Sequence, residues 1–257
     1  MKLVAYQVQE RIGVVTLNRP EKRNALSHEL VTDLKDALSQ AETDDQVKVI
    51  ILKANGEAFC AGADLTYLQQ LQKFTYEENL QDSNHLKELF LKIYTLPKIV
   101  IAQVQGHALA GGCGLATVCD FSYAVPDAKF GYTEVKIGFI PALVAVFLLR
   151  KIGEAKSKEL LLGGELISAN MAFQMGLINK VVPPEELENE VLTMAKKLAV
   201  GNSGQSMKLT KHMIDQVQSL PLTEALNYAA EMNARARSTE DCKRGIAAFL
   251  SKEKLTW

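Results

Sequence analysis

The chain has 257 residues, 47% hydrophobic and 23% charged, so it can bury a substantial core as one domain or as two small ones. Its formal net charge of −1 gives no overall field that would attract nucleic acid or an anionic membrane. Four cysteines without a CxxC pair, and an N-terminus without a signal-peptide or transit-peptide pattern, predict reduced, mostly buried thiols in a soluble, cytoplasmic protein.

The first half of the chain predicts strands that alternate with helices. Two short strands are expected within residues 2–18, with Gly13 as the turn or bulge between them. Ser27 is a candidate N-cap for a helix whose leucines share one face. Two apolar, β-branched segments predict buried strands, residues 47–52 and 99–104. Because strands separated by helices indicate parallel crossovers, the predicted fold class is α/β.

The second half of the chain predicts mainly helices. Residues 143–162 have a helical pattern with Gly153 as an interruption, and residues 185–250 show helical periodicity throughout. No low-complexity linker separates this half from the strands. We therefore predict a core over residues 1–190 and a helical C-terminal region over residues 191–257.

Segment 59–65 is the first that could bind a ligand. Its small residues follow a strand-like stretch and lead into an amphipathic stretch, Leu65–Leu71. Such a turn lets main-chain N–H groups point at a ligand, and Asp64 can cap the following helix. A simple strand-to-helix turn is the alternative interpretation.

Segment 106–115 is the second segment that could bind a ligand. A strand leads into a run of glycine and alanine, and a buried-looking helix follows. Glycine is needed where the backbone approaches a ligand closely, and a helix N-terminus adds partial positive charge. Tight helix–sheet packing is the alternative, and the spacing fits neither a dinucleotide fingerprint nor a P-loop. Together, the two segments could aim two N–H groups at one thioester carbonyl and stabilise its enolate.

These segments and several others, in order, resemble the signatures of the crotonase (enoyl-CoA hydratase/isomerase) family. The matching residues are 18–20 with 24–26, 59–64, 106–120, 130–134, 138–141, 168–178 and 241–249. The resemblance covers nearly the whole chain. It implies a crotonase-like spiral of ββα units, followed by a helical C-terminal trimerisation region, and commonly a hexamer of two trimers. By position, it also implies that the oxyanion hole is formed by the backbone N–H groups of Ala63 and Gly111.

Glu134 is the acid–base candidate, because it stands where the family places its second catalytic glutamate. A carboxylate near an apolar acyl pocket would have a raised pKa, which suits proton transfer at carbon. The alternative is a solvated glutamate on a short helix, since charged side chains usually face solvent.

Gly114 departs from the family pattern, since hydratases of the family carry their first glutamate at this position. Hydration needs a base for water and an acid for the α-carbon, which two carboxylates share naturally. With Glu134 alone, a shift of 3-enoyl-CoA to 2-enoyl-CoA is easier to write. A second departure is the apolar segment 142–147, where hydratases usually have glycines. Hydration stays open, with Glu134 in both roles or with help from Tyr132.

The sequence thus leaves three main functions open, and another enolate reaction on the same scaffold, such as a decarboxylation or a retro-Claisen cleavage, also stays open. The family resemblance favours an enoyl-CoA hydratase, and Gly114 favours a single-glutamate enoyl-CoA isomerase. The third, of a different class, is a non-catalytic module that binds acyl-CoA. Neither a metal nor a redox cofactor is expected, and the four histidines lack metal-ligand spacing.

The resemblance also predicts how acyl-CoA is bound. Residues at the nucleotide and thioester are expected to include Lys22, Asn24, Ala25, Ala61, Asp64, Leu65, Gly112, Gly114, Phe249 and Lys252. The last two are expected to approach from a neighbouring subunit of a homotrimer or homohexamer. The acyl pocket is expected to use Leu68, Leu71, Phe74, Tyr76, Ile140 and Leu143. No nucleic acid or membrane partner is expected.

Overall fold

The computed structural model describes residues 2–257, which form nine β-strands and ten α-helices. The strands are β1 (Val4–Gln9), β2 (Ile12–Leu17), β3 (Val49–Ala54), β4 (Ile99–Val104), β5 (Ala108–Leu109), β6 (Phe121–Ala124), β7 (Lys129–Gly131), β8 (Ile167–Ser168) and β9 (Lys180–Val181). The helices are α1 (His28–Thr43), α2 (Leu65–Leu71), α3 (Tyr76–Thr95), α4 (Gly111–Val118), α5 (Ala142–Gly163), α6 (Ala169–Met175), α7 (Pro184–Gly201), α8 (Gly204–Val217), α9 (Leu222–Arg237) and α10 (Glu240–Ser251). Two 3₁₀ turns cover Pro20–Lys22 and Glu134–Ile137.

The main sheet has six strands in the order β1-β2-β3-β4-β6-β9. Only β1 is antiparallel to its neighbour, and the other neighbouring pairs are parallel. Parallel neighbours need crossover connections, and α1 and α3 provide those between β2 and β4. A second sheet, β5-β7-β8, lies beyond the end of β4. The predicted α/β class is confirmed.

The turn between β1 and β2 is not at Gly13, so that prediction is wrong. Gly13 lies within β2 and pairs with Val8, while the chain reverses at Glu10 and Arg11, whose φ values are 48° and 67°. A Cβ at Gly13 would lie 3.1 Å from the ring of Tyr6, so this glycine makes room for packing. A glycine that permits close packing and one that permits a turn look alike in a sequence.

Helices α1 and α7 pack their apolar faces onto the main sheet. Ser27 caps α1 by accepting a hydrogen bond from the Leu30 N–H, as predicted. Gly153 interrupts α5 with a φ of 77°, which also agrees with the prediction.

The division expected at residue 190 falls inside α7, a helix that packs on β2, β3, β4 and β6, and it stays a prediction. Within residues 2–257, no helix is both long and apolar enough to span a bilayer.

The four cysteines are free thiols. Cys60, Cys113 and Cys119 are buried, and burial raises their pKa values to about 12, 11 and 12 respectively. Such thiols stay protonated near neutral pH and are poor nucleophiles. They act as packing residues in the core.

Candidate active site

Two backbone segments meet beyond the carboxyl ends of β3 and β4, and they are the two that the sequence singles out. The Cys60 N–H donates to the His107 carbonyl (3.2 Å), and the Leu109 N–H donates to the Cys60 carbonyl (3.0 Å). A Cβ on Gly112 would lie 2.2 Å from the Cys60 carbonyl oxygen, and one on Gly62 would lie 2.9 Å from the Ala110 Cβ. Glycine is therefore required on both sides of this contact.

The N–H of Ala63 is oriented by the strand-like pairing of its neighbours. The Leu26 N–H donates to the Gly62 carbonyl (2.7 Å), and the Asp64 N–H donates to the Leu26 carbonyl (2.9 Å). In such a parallel bridge, the N–H of the middle residue points away from the partner strand. Among the described residues, the Ala63 N–H has no backbone acceptor, so it is open to a ligand oxygen.

The N–H of Gly111 is oriented by the start of α4. Gly111 is the first residue of this helix, so its N–H has no acceptor within the helix. Ala110, just before it, has φ 49° and ψ −123°, which is uncommon for a residue with a side chain. Two hydrogen bonds hold this conformation, from the Ala110 N–H to Gly131 (2.8 Å) and from the Gly114 N–H to Ala110 (3.0 Å). Strained backbone of this kind is typical of functional sites.

Glu134 begins the 3₁₀ turn that follows β7, and its carboxylate is half-buried. Its Oε2 is buried and has no hydrogen-bond partner among the described residues. Burial raises the pKa of Glu134 above 4.5, and a hydrogen bond from its own backbone opposes that rise. Its charge in turn raises the pKa of Cys113 on α4, though less than burial does. Buried polar atoms without a partner are rare in proteins, so this carboxylate is a candidate for proton transfer.

Gly114 faces hydrocarbon from two other helices. A Cβ at this position would lie 2.4 Å from Cγ1 of Val144 on α5 and 3.2 Å from the ring of Phe90 on α3. Val144 is 4% exposed and Phe90 is fully buried. The space that a side chain at position 114 would need is therefore already filled, and α4 contributes no carboxylate there.

Tyr132 is fully buried, and its phenol is hydrogen-bonded to the Thr117 hydroxyl, with 2.8 Å between the two oxygens. That hydroxyl in turn donates to the Cys113 carbonyl (2.8 Å). Burial raises the pKa of Tyr132 well above its ordinary value, so the phenol stays neutral. These contacts tie Tyr132 to α4, and its help in proton transfer stays a prediction.

Asp64 and Asn24 are two predicted CoA contacts, but their side chains bind other groups of the protein. The Asp64 carboxylate caps α2 by accepting two backbone N–H groups, and it pairs with Arg19 at 2.8 Å. The Asn24 amide donates to the carbonyls of Asn55 (2.8 Å) and Ala58 (2.9 Å). Both residues shape the loops that surround the Ala63 N–H, and only their backbones remain for a ligand.

The remaining predicted CoA contacts fall into two groups. The first group surrounds the first loop, residues 59–65, and consists of Lys22, Ala25, Ala61 and Leu65. In this loop the Ala61 N–H donates to the Arg23 carbonyl. Phe249 and Lys252 lie at the end of α10, which packs on α8 and α9. In residues 2–257, no hydrogen bond or ion pair joins this second pair to the first loop. Their expected approach from a neighbouring subunit stays a prediction.

The predicted acyl-pocket residues are unevenly buried. Leu68, Leu71 and Phe74 are half-buried, as is Leu143. Tyr76 and Ile140 are 75% and 65% exposed. The apolar surface beside the two loops is therefore only partly covered by the chain itself.

Sequence reasoning missed the roles of four residues at this site. Arg19 lies in the predicted motif 18–20, but its partner Asp64 is 45 positions away and only the fold reveals the ion pair. The unusual φ of Ala110 leaves no signal in residue type. Phe90 and Val144 resemble ordinary core residues, and nothing local indicates that they meet at Gly114.

Comparisons with known proteins agree on one family. The family model described as enoyl-CoA hydratase/isomerase matches residues 7–257. A Thermus thermophilus relative, whose name also places it among the enoyl-CoA hydratases, is 43% identical over 94% of this chain and 95% of its own. The crotonyl-CoA hydratase of Syntrophomonas wolfei is 35% identical over 98% and 96%. The crystal structure of an enoyl-CoA hydratase from Mycobacterium smegmatis superposes with a TM-score of 0.93 at 31% identity, covering 99% and 98% of the two chains.

Proposed function

The chain belongs to the enoyl-CoA hydratase/isomerase (crotonase) family, and we propose that it hydrates 2-enoyl-CoA thioesters with Glu134 as its only acid–base carboxylate. The observation that carries this proposal is the buried, unpartnered Oε2 of Glu134 close to α4. The relatives are named as hydratases, which supports hydration over isomerisation as the reaction.

The proposed reaction uses the two backbone donors as an oxyanion hole. The thioester carbonyl accepts hydrogen bonds from the N–H groups of Ala63 and Gly111, which stabilise negative charge on that oxygen. Glu134 removes a proton from water as the water oxygen bonds to C3, and the C2–C3 π electrons move toward the carbonyl to form the enolate. The protonated Glu134 then gives the same proton to C2. One carboxylate thereby adds both parts of one water molecule.

Isomerisation of 3-enoyl-CoA to 2-enoyl-CoA is the second candidate. It is favoured by the hydrocarbon of Val144 and Phe90 around Gly114, which leaves no place on α4 for a second carboxylate. In this reaction Glu134 takes a proton from C2, the enolate forms in the same oxyanion hole, and Glu134 returns the proton to C4.

We further propose how the substrate and the assembly are organised. Lys22 and the backbone of residues 61–65 bind the CoA moiety, and Phe249 with Lys252 completes the site from a neighbouring subunit of a homotrimer or homohexamer. The steps above are proton transfers, so we propose that no metal or redox cofactor takes part. The buried free thiols suit a reducing compartment such as the cytoplasm.

Turnover in ¹⁸O-labelled water tests this proposal. Purified protein receives 2-enoyl-CoA or 3-enoyl-CoA, and mass spectrometry follows the products. Labelled 3-hydroxyacyl-CoA is expected, with a loss of about 10²–10⁴-fold in rate for Glu134→Gln, because an acid–base group contributes about that much. Glu159→Gln, an exposed glutamate on α5, is the matched control and should keep full activity.

Each other outcome of that experiment has a definite meaning. Unlabelled conversion of 3-enoyl-CoA to 2-enoyl-CoA, lost in Glu134→Gln, would replace hydration by isomerisation. Full activity of Glu134→Gln would remove Glu134 from the mechanism. Binding of acyl-CoA without turnover of either substrate would contradict both reactions.

A further inference from the structure

We propose that Val144 is the specificity-determining residue that keeps this active site to a single carboxylate. The inference rests on the proposed function, since it concerns which groups can reach an enoyl-CoA held at α4. Position 114 lies one turn after Gly111 in α4, the helix whose first N–H we assign to the oxyanion hole. A carboxylate placed there would be the natural partner of Glu134 in hydration.

The Val144 side chain occupies the start of the path that a side chain at position 114 would take. The distance of 2.4 Å between its Cγ1 and a Cβ at 114 is shorter than any stable contact between carbon atoms. A flexible side chain could turn aside, but valine branches at Cβ and is stiff at χ1. Val144 is also buried, so a rotation would press its methyl groups into other core atoms.

An aromatic cluster packs α5 against α3 one turn away from Val144. Phe147, one turn along α5, packs edge-on against Phe90 with ring centroids 6.2 Å apart. Phe147 also contacts Tyr94 on α3 at 5.2 Å. The cluster joins α3 to the first half of α5, and Val144 lies in that half of the helix. Phe90 belongs to the cluster and also closes the second side of Gly114 at 3.2 Å.

Gly114 and Val144 are therefore a matched pair. The valine makes glycine obligatory at 114, and the glycine leaves proton transfer to Glu134. Shortening Val144 should open the space that a side chain at 114 needs. The pair can then be tested first by stability and second by chemistry.

The stability test is a double-mutant cycle of Gly114→Ala and Val144→Ala, read as thermal midpoints without substrate. Gly114→Ala alone should lower the midpoint by several degrees, and it should cost much less in the Val144→Ala background. Gly163→Ala is the matched control, since a Cβ at this α5 glycine would meet nothing within 4 Å. That control should leave the midpoint unchanged or raise it.

The chemical test compares Val144→Ala with the double variant Gly114→Glu/Val144→Ala. The double variant should hydrate 2-enoyl-CoA in ¹⁸O-labelled water at least about tenfold faster, because it regains a second acid–base group. A purely structural role of Val144 would produce no such gain. Gly114→Glu alone should fold poorly or lose activity.

Additive midpoints in the cycle would overturn the inference, because Val144 would then not fill the space at 114. Coupled midpoints without faster hydration would overturn its role in specificity. The stability cycle needs no turnover, so its result does not depend on whether the proposed function is correct. Hydration gained by the double variant, from a wild type that only isomerises, would support Val144 and refute hydration as the native reaction.

Discussion

Glu134 is ionised at a cost, because burial raises its pKa above 4.5. A raised pKa means that the folded state binds this proton more tightly than the unfolded state. The protonated carboxyl therefore stabilises the folded state. This stabilisation is fully present below about pH 4.5, the pKa of Glu134 in the unfolded state, and it is lost as the pH rises through the raised pKa of the folded state. We therefore expect Glu134→Gln to be more stable than wild type at pH 7, with a smaller difference at pH 4.

Denaturant unfolding of both proteins at the two pH values measures this effect. The exposed Glu159→Gln variant should show no such pH-dependent difference from wild type. A difference between wild type and Glu134→Gln that stays constant from pH 4 to 7 would mean that the Glu134 pKa is not raised. In the proposed mechanism the same pKa sets the acid limb of turnover, since Glu134 must be ionised to accept a proton.

Ala110 adopts the φ and ψ of the first central residue of a type II′ turn, a position that glycine prefers. Ala110→Gly should remove strain of about 1–3 kcal/mol, offset by about 0.5–1 kcal/mol of glycine entropy. We expect a net gain of about 1 kcal/mol in the free energy of unfolding, measured by chemical denaturation. The control Ala230→Gly, on the exposed side of α9, should lose about 1 kcal/mol. Equal losses in both would show that Ala110 is unstrained.

Single residues differ in how well the sequence predicts them. Ala63 and Gly111 are predicted from their positions in a motif, and the role proposed for them needs only backbone N–H groups. The cap that Asp64 provides for α2 is predicted from the sequence and is confirmed, whereas its ion pair with Arg19 is not predicted. A sequence specifies which groups exist, while their hydrogen-bond partners follow from tertiary packing.

At the scale of an element, α2 depends on its cap. Asp64→Ala should cost about 1–3 kcal/mol, because two N–H groups lose their acceptor and the largely buried Arg19 loses its partner. Turnover should also fall by about tenfold or more, because Ala63 precedes the cap and weaker oxyanion donors cost rate. Unfolding and steady-state kinetics measure the two effects.

Ser168→Ala is the matched control for that prediction. Ser168 caps α6 through the Met171 N–H, and β7 separates its strand β8 from β5 in the second sheet. The control should lose about 1 kcal/mol of stability and keep its turnover. Equal loss of turnover in both variants would mean that the Asp64 effect reflects general destabilisation.

Elements with strong local signals are predicted well. The strand Ile99–Val104 and the helix Leu65–Leu71 have the bounds expected from their apolar patterns. The β1–β2 turn is missed because Glu10 and Arg11 are not typical left-handed residues. The strands β5 and β8 have two residues each, and such short pairings depend on neighbours that are distant in sequence.

At the scale of the whole molecule, the C-terminal helices expose large apolar side chains. Leu222 and Leu226 lie on one side of α9 and are 76% and 62% exposed, and Phe249 on α10 is 82% exposed. Exposed apolar surface of this kind marks contact sites in proteins. It is consistent with the proposed homotrimer or homohexamer.

A Leu222→Lys/Leu226→Lys variant should therefore lower the solution mass measured by light scattering. The thermal midpoint of the wild type should rise with protein concentration, since association stabilises the folded chain. Val8→Lys changes an exposed residue of β1 and should leave the mass unchanged. A wild type that is monomeric at all concentrations would contradict the proposed assembly.

The contact between Gly114 and Val144 also constrains the history of this site. A lineage that gains a side chain at position 114 while Val144 is present passes through a damaged protein. Residue 144 has to shrink first, and that step gives no catalytic advantage by itself. In the opposite direction, a valine at 144 becomes tolerable only after residue 114 has lost its side chain. The clash thus orders the two substitutions in both directions, and under the proposed role of Val144 a residue outside the reaction would preserve the chemistry of the site.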